Sequence, residues 1–361
     1  MTWRTKEAMH NLEEILSKAV ENKASDIFII TGAAVSYKLA GNIQDVFDDH
    51  ERLMPDMTEA LIDEIYVAAK RNKEHFVEKG DDDFSFAIGH LARFRVNTYF
   101  QRGSQSCVIR IVAFDIPDYH DMGIPESIIE LSNVKHGMII ISGTAGSGKS
   151  TTQACIIDRI NKTRSAHIVT LEDPIEYLHR DNQAIISQRE VLIDTQSYLT
   201  GLRAVLRQAP DVILLGEMRD GETIRTAMSA AETGHLVIAT LHTKGAVNTI
   251  DRIIDSFPAD QQEQIRIQLS LVLNCIVSQQ LIPKVGGGMV PAVEIMKITP
   301  AVSNMIRDSK NYQIDNVIQT SGPLGMISMD QYIVDLYKKG LISEESALMF
   351  AMNPEQVQRR I

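Results

Sequence analysis

Gly143-Thr144-Ala145-Gly146-Ser147-Gly148-Lys149-Ser150 follows directly on the apolar run Met138-Ile139-Ile140-Ile141. The order is that of a buried strand, a glycine turn and a helix N-terminus, which is what a phosphate-binding loop requires. The glycines let successive backbone N–H groups turn inward around a triphosphate, and the dipole of the following helix favours its negative charge. Lys149 is placed to reach the β- and γ-phosphates, and the Ser150 hydroxyl to sit on Mg²⁺. The loop from Gly143 to Ser150, with Thr151 in the first helical turn, is therefore the predicted binding segment for ATP and Mg²⁺.

Outward from the loop, continuous apolar runs recur at Met138 to Ile141, His167 to Leu171, Val212 to Leu215 and Leu236 to Ala239. Such runs, alternating with helical segments, predict an α/β unit with a parallel sheet covered on both faces. Each run ends in polar residues: the glycine loop, then Glu172-Asp173-Pro174-Ile175-Glu176, then Gly216-Glu217, then Thr240-Leu241-His242-Thr243. Ligands of open parallel sheets bind at the carboxyl ends of the strands, so these clusters predict one active site.

Hydrolysis needs a group to polarise the attacking water, a metal ion and positive charge on the γ-phosphate. Glu217 is the predicted catalyst. The usual Walker B aspartate would stand one residue earlier, where this chain has Gly216, so Mg²⁺ leans on Ser150 with Glu176 or Glu172. His235 and His242 flank the last apolar run, and a neutral imidazole there can hydrogen-bond a phosphate. Zinc ligation by them is rejected for want of companion ligands.

The first half of the chain reads differently. Met9, Leu12, Leu16, Ala19 and Val20 line one helical face. A strand follows at Ser25 to Ile30, and period-two alternation marks Phe84 to Gly89, Ala92 to Phe100 and Cys107 to Val112 as half-buried antiparallel strands. The division is an α+β domain over 1–112, a linker over 113–123 with Pro117, Asp118 and Gly123 as breakers, and a second domain over 124–361. Arg93, Arg95, Arg102 and Arg110 crowd the last strands of the first domain; Arg93 and Arg95, two apart, share a face. They are candidates to reach a triphosphate held by the other domain or by a neighbouring subunit.

Composition narrows the function classes. At 361 residues, two domains are expected. The 36 basic and 47 acidic residues give a net charge of -11, which disfavours a nucleic-acid motor. Cys107, Cys155 and Cys275 are too scattered for a zinc cage or a disulfide framework, and free thiols fit a reducing cytoplasm. The start Met1-Thr2-Trp3-Arg4-Thr5-Lys6-Glu7 lacks the apolar core of a secretory signal, and no run is long enough for a transmembrane helix. Membrane contact is then expected to be peripheral or through a partner.

Taken together, the phosphate loop, the acidic box Glu172 to Glu176, the segment Leu206-Arg207-Gln208-Ala209-Pro210-Asp211-Val212-Ile213-Leu214-Leu215-Gly216-Glu217-Met218-Arg219-Asp220 and the histidine box Thr233 to Thr243 resemble the secretion-ATPase superfamily. Their order and spacing are similar to its type IV pilus retraction branch, the twitching-motility PilT family, over nearly the whole chain. The resemblance implies a homohexameric ring whose first domain is PAS-like and whose second is RecA-like, with nucleotide between the two. It further implies Lys149 as Walker lysine, Glu217 as catalytic glutamate, His235 and His242 as the histidine pair, and Arg95 and Arg110, with Arg102 behind them, as arginine fingers. Arg252 matches a family arginine near the subunit contact, and Gly216 is normal in this family. The activity implied is ATP hydrolysis powering pilus retraction, against an inner-membrane platform protein at the inner face of the cytoplasmic membrane.

This sequence departs from the branch at Thr144-Ala145, where Pro-Thr is usual, at Ser303, which replaces an arginine, and at Tyr37-Lys38-Leu39-Ala40-Gly41, which replaces an arginine-and-glycine turn. Relatives driving pilus assembly or type II secretion typically carry a further N-terminal domain and a tetracysteine zinc motif, neither of which is expected here. A pilus-assembly or secretion ATPase of the same superfamily is the alternative. So is a regulatory nucleotide-binding module, against which Lys149 and Glu217 both argue.

Overall fold

The computed structural model describes residues 10–39, 41–89, 91–112 and 116–361, in two compact units, Met1–Asp115 and Ile116–Ile361. Met9, Ala40 and residues 113–115 at the head of the predicted linker lie outside the described residues.

In the first unit, strands β1 (Asp26–Ile29), β2 (Ser36–Leu39), β3 (Asn42–Asp45), β4 (Asp81–Ile88), β5 (Ala92–Gln101) and β6 (Ser104–Val112) form one antiparallel sheet in the order β3-β2-β1-β6-β5-β4. The alternation read from the sequence puts Phe84, Phe86, Phe94 and Val96 on the covered face. The helix Leu12–Glu21 contributes Leu12, Ile15, Leu16 and Ala19 to the same core. It begins at Leu12 because Asn11 caps it, accepting from the Glu14 N–H at 2.9 Å while Glu14 reaches back to the Asn11 N–H. The β2–β3 hairpin carries no period-two signal, since β3 is exposed along its whole length. Asp82 is a buried charge of this unit; Arg71 pairs with it at 2.8 Å and 2.9 Å, and the Tyr66 hydroxyl donates to it at 3.0 Å.

In the second unit, strands β7 (Gly137–Ser142), β8 (His167–Glu172), β9 (Ile185–Glu190), β10 (Val212–Leu215), β11 (Leu236–Leu241), β12 (Leu273–Pro283) and β13 (Met289–Lys297) form a sheet ordered β13-β12-β7-β11-β10-β8-β9. All neighbours are parallel except β12 and β13, which make an antiparallel hairpin. The four apolar runs of the sequence are its contiguous centre, β7-β11-β10-β8, and all six residues of β7 are buried.

Both faces are covered. Ile156, Ile157 and Ile160 of the helix Lys149–Thr163 meet Ile139, Ile141, Ile168, Val212 and Leu214. On the other face, helices Tyr198–Val205, Gly221–Glu232, Ala246–Asp255 and Ala259–Val272 pack on Met138, Ile140, Val169, Leu171, Ile213 and Leu215. Each fully buried isoleucine of this kind contributes about 1.5–3 kcal/mol of transfer free energy. The C-terminal helices Met329–Lys338, Glu344–Phe350 and Pro354–Gln358 cover the β12–β13 hairpin through Ile333, Val334, Ala347 and Val357. Ser303, at the departure noted above, donates its hydroxyl to the Ser270 carbonyl at 2.9 Å and so ties two helices together.

Candidate nucleotide site

The carboxyl ends of β7, β8, β10 and β11 open into a cleft of about 450 Å³. Its wall includes the loop from Ala145 to Thr151, Glu172, Asp173, Glu176, Glu217, Arg219 and His242, so residues read from four separate segments do meet. Gly143, Gly146 and Gly148 have φ of 149°, 74° and 84°, values that a side chain resists. The backbone therefore wraps the end of the helix that Lys149 begins.

The Lys149 ammonium is 2.8 Å from the carbonyls of both Gly143 and Thr144, to which it donates. Burial lowers its pKa, while the negative charges of Glu217 and Glu176 oppose that shift. The lysine is thus a nearly buried cation (8% exposed) held over the loop, in the position from which it can turn to a phosphate.

The acidic segment after β8 is held by β9, a strand the sequence reading missed because its edge position leaves it polar and partly exposed. Glu190 accepts the Ile175 N–H at 3.1 Å, and Gln188 donates to the Tyr177 carbonyl at 2.8 Å and to Glu172 at 3.2 Å. The Tyr177 hydroxyl meets the Thr151 hydroxyl at 2.8 Å and so ties this segment to the phosphate-loop helix. Glu172 also accepts from the Thr170 hydroxyl at 2.6 Å. Burial pushes its carboxyl up to about 7, since these two hydrogen bonds only partly replace water. His179 lies in the same wall, and burial pushes its imidazole down to about 4, so it is neutral.

Glu217 leaves the end of β10 toward β11. It accepts from Arg219 Nε at 2.7 Å, and His242 Nε2 is 3.4 Å from its other oxygen. Arg219 reaches Asp173 at 3.7 Å on its far side, and the contact with Glu217 raises its pKa. A carboxylate so oriented keeps lone pairs available to a water molecule in the cleft.

Gly216 has a steric reason. A Cβ there would lie 2.8 Å from the Tyr198 hydroxyl and 3.3 Å from the backbone of Leu171 and Glu172. A side chain at this position would have to displace the Tyr198 hydroxyl, and the cleft's carboxylates come from the end of β8 and from Glu217 instead.

Several residues read from the sequence lie elsewhere. His235 precedes β11, and its ring is 2.9 Å from the Ala230 carbonyl. The six residues of β11 separate it from His242 by roughly 20 Å at the usual strand rise, so only His242 lines the cleft. Arg252 is exposed on the helix Ala246–Asp255, also outside the cleft lining.

In the first unit, Arg95 and Arg110 are direct cross-strand partners on β5 and β6 and share one face. Arg95 pairs with Asp83 at 2.9 Å and Arg110 with Asp26 at 3.0 Å. Arg102 sits in the β5–β6 turn with φ of 49°, roughly 20 Å along the ladder from that pair. Among the described residues, no group of three or more His, Cys, Asp or Glu side chains is placed to hold a metal, and the three cysteines are free and buried.

Gln279 on β12 was not anticipated. Its carboxamide donates to the Ser147 carbonyl at 2.7 Å and accepts from the Thr152 hydroxyl at 2.8 Å. The sequence gives little signal for it, since Gln279 is one of three consecutive polar residues, Ser278-Gln279-Gln280, between Val277 and Leu281.

Comparison with known proteins agrees with this geometry. The profile described as "Type II/IV secretion system protein" matches residues 5–321. The type IV pilus retractation ATPase PilT of Pseudomonas aeruginosa is 41% identical over 345 residues, covering 96% of this chain and 99% of that protein. A twitching motility protein of Neisseria gonorrhoeae is 44% identical over 276 residues, 76% of this chain and 74% of its own. The crystal structure of the pilus retraction motor PilT with bound ADP superposes with a TM-score of 0.87 at 43% identity, covering 97% of this chain and 100% of that one. Among the described residues, no helix is long and apolar enough to cross a membrane. The chain belongs to the type II/IV secretion system protein family, within its PilT group.

Proposed function

We propose that this chain is an ATPase motor that couples ATP hydrolysis to type IV pilus retraction and so to twitching motility. The observation that carries the reading is one cleft where Lys149 and Glu217 meet at the end of a parallel sheet, in a chain similar to a retraction ATPase over 99% of that protein's length.

In this reading the first unit is PAS-like over 1–112, the second RecA-like from 124, and 113–123 is the linker. The loop amides and Lys149 bind the triphosphate, and Thr151 lies beside its α-phosphate end. Glu217, oriented by Arg219 and His242, accepts a hydrogen bond from the attacking water as its oxygen bonds to the γ-phosphorus and the β–γ bridging bond breaks. Ser150 and Glu176, with Glu172 beyond them, form an oxygen donor set that suits Mg²⁺, and the raised pKa of Glu172 fits a buried carboxyl without a protein cation beside it. Bound there, the ion would neutralise charge on the β- and γ-oxygens. Arg95 and Arg110, on one face, act as fingers within a homohexamer, with Arg102 in a lesser supporting role and Arg252 near the subunit contact. The motor works on an inner-membrane platform protein, peripheral to the cytoplasmic membrane.

The type II secretion system protein E of Xanthomonas campestris is 31% identical over 280 residues, against 41% over 345 residues for the retraction ATPase, and this lower likeness weighs against a secretion motor. Deletion of the gene in a piliated host tests the direction of force. Excess surface pili without twitching is expected, whereas bare cells would mark an assembly motor. Purified protein is expected to release phosphate from ATP and to lose that activity on Glu217→Ala; equal rates would exclude Glu217 as the catalyst.

A further inference from the structure

We propose that Gln279 is a positioning residue for nucleotide hydrolysis, one that clamps the phosphate loop in its anion-binding shape from the neighbouring strand. The inference rests on the nucleotide reading of the cleft and adds to it a part supplied by a distant piece of the chain.

Gln279 is buried (3% exposed) on β12, which runs parallel to β7 with Ser278 opposite Ser142, the last residue before the loop. Its backbone carbonyl would be 2.2 Å from a Cβ on Gly143, and its side-chain nitrogen 2.8 Å from a Cβ on Gly148, so β12 is packed directly against the loop at two points. The side-chain nitrogen donates to the Ser147 carbonyl at 2.7 Å. In a planar trans peptide the C=O and the following N–H point in opposite directions. Holding the Ser147 carbonyl outward therefore turns the Gly148 N–H inward, toward the space a phosphate would occupy.

The carboxamide is itself oriented. Thr152, one helical turn beyond Gly148, donates its hydroxyl to Gln279 Oε1 at 2.8 Å, which leaves the nitrogen facing Ser147. Without Gln279 the Ser147 carbonyl would be buried and unsatisfied, and the peptide could relieve that by rotating its carbonyl toward the cleft, where it would repel an anion. The first-order effect of losing the clamp is therefore on nucleotide affinity, with turnover reduced through it.

The test uses the full chain, ADP with Mg²⁺ as the calorimetric probe, ATP turnover, and the melting temperature without nucleotide. Gln279→Leu keeps most of the volume and removes both hydrogen bonds. Gln279→Glu places a carboxylate against the Ser147 carbonyl. Thr152→Val removes only the hydroxyl that orients the carboxamide and serves if either Gln279 variant fails to fold. ADP affinity is expected to fall about tenfold in Gln279→Leu, further in Gln279→Glu, and a few-fold in Thr152→Val, with KM for ATP rising in parallel. A brace without a role in binding would lower the melting temperature and leave ADP affinity unchanged in the folded protein. That result, or affinities within about twofold of wild type in the folded variants, would overturn the proposal and leave the nucleotide reading intact. If the wild-type chain itself took up no ADP, the nucleotide reading would fall and the clamp with it.

Discussion

Glu172 offers a test of the site that needs no nucleotide. Its carboxyl is pushed from 4.5 up to about 7 by burial, so between those values the folded chain holds a proton that the unfolded chain has released. Stability then falls as pH rises through this window and levels off above pH 7, because the native state binds more protons there. A shift from 4.5 to about 7 corresponds to about 3 kcal/mol at full effect, a ceiling because the side chain keeps some contact with the open cleft. Glu172→Gln removes the ionisation and keeps the oxygen that accepts from Thr170 and Gln188. The variant should match wild type near pH 4.5 and become more stable by up to about 3 kcal/mol above pH 7, which for a unit of this size is roughly 6–12 °C in Tm. Thermal and urea unfolding of the nucleotide-free protein from pH 4.5 to 8.5 would measure it. Two curves with a constant separation over that range would refute the argument, since a constant offset comes from packing and not from a proton.

Other outcomes follow from the same geometry. Glu217→Gln should retain ADP binding while phosphate release falls about 10²–10⁴-fold, measured by calorimetry and turnover on one preparation; parallel loss of both would mean that Glu217 shapes the site without acting in the reaction. Gly216→Ala should lower stability by about 1–3 kcal/mol in urea unfolding, because its Cβ meets the Tyr198 hydroxyl at 2.8 Å. Adding Tyr198→Phe should recover part of that loss, and no recovery would place the strain at the Leu171 and Glu172 backbone. Asp83→Asn leaves Arg95 opposite Arg110 without its carboxylate, so the urea midpoint should drop most at low salt and the deficit should shrink as salt is added.

The second unit was legible wherever the sequence had to satisfy two constraints at once. β7, β8, β10 and β11 must be apolar on both faces and must end in polar groups at one sheet edge, and this double signature located the centre of the sheet and most of the cleft. β9 was missed because an edge strand needs neither feature; its residues from Ile185 to Arg189 are only partly buried or exposed. His235 and His242 look equivalent in the sequence, each beside the same apolar run. A strand separates its two ends in space, and only one of them belongs to the carboxyl edge. Arg102 likewise stands near Arg95 and Arg110 in the chain but is carried away by the length of the β5–β6 ladder. Gln279 was out of reach for another reason: its partners, Ser147 and Thr152, lie far off in the chain, and periodicity reports only on near neighbours.

That distance bears on how the protein is made. Ser147 and Gln279 are 132 residues apart. At a synthesis rate of about 5–20 residues per second, the loop leaves the ribosome roughly 7–26 s before the strand that seats it. Over that interval the Ser147 carbonyl lacks the carboxamide that fixes its direction. On the proposed clamp, tight nucleotide binding waits for the β12–β13 hairpin to be made.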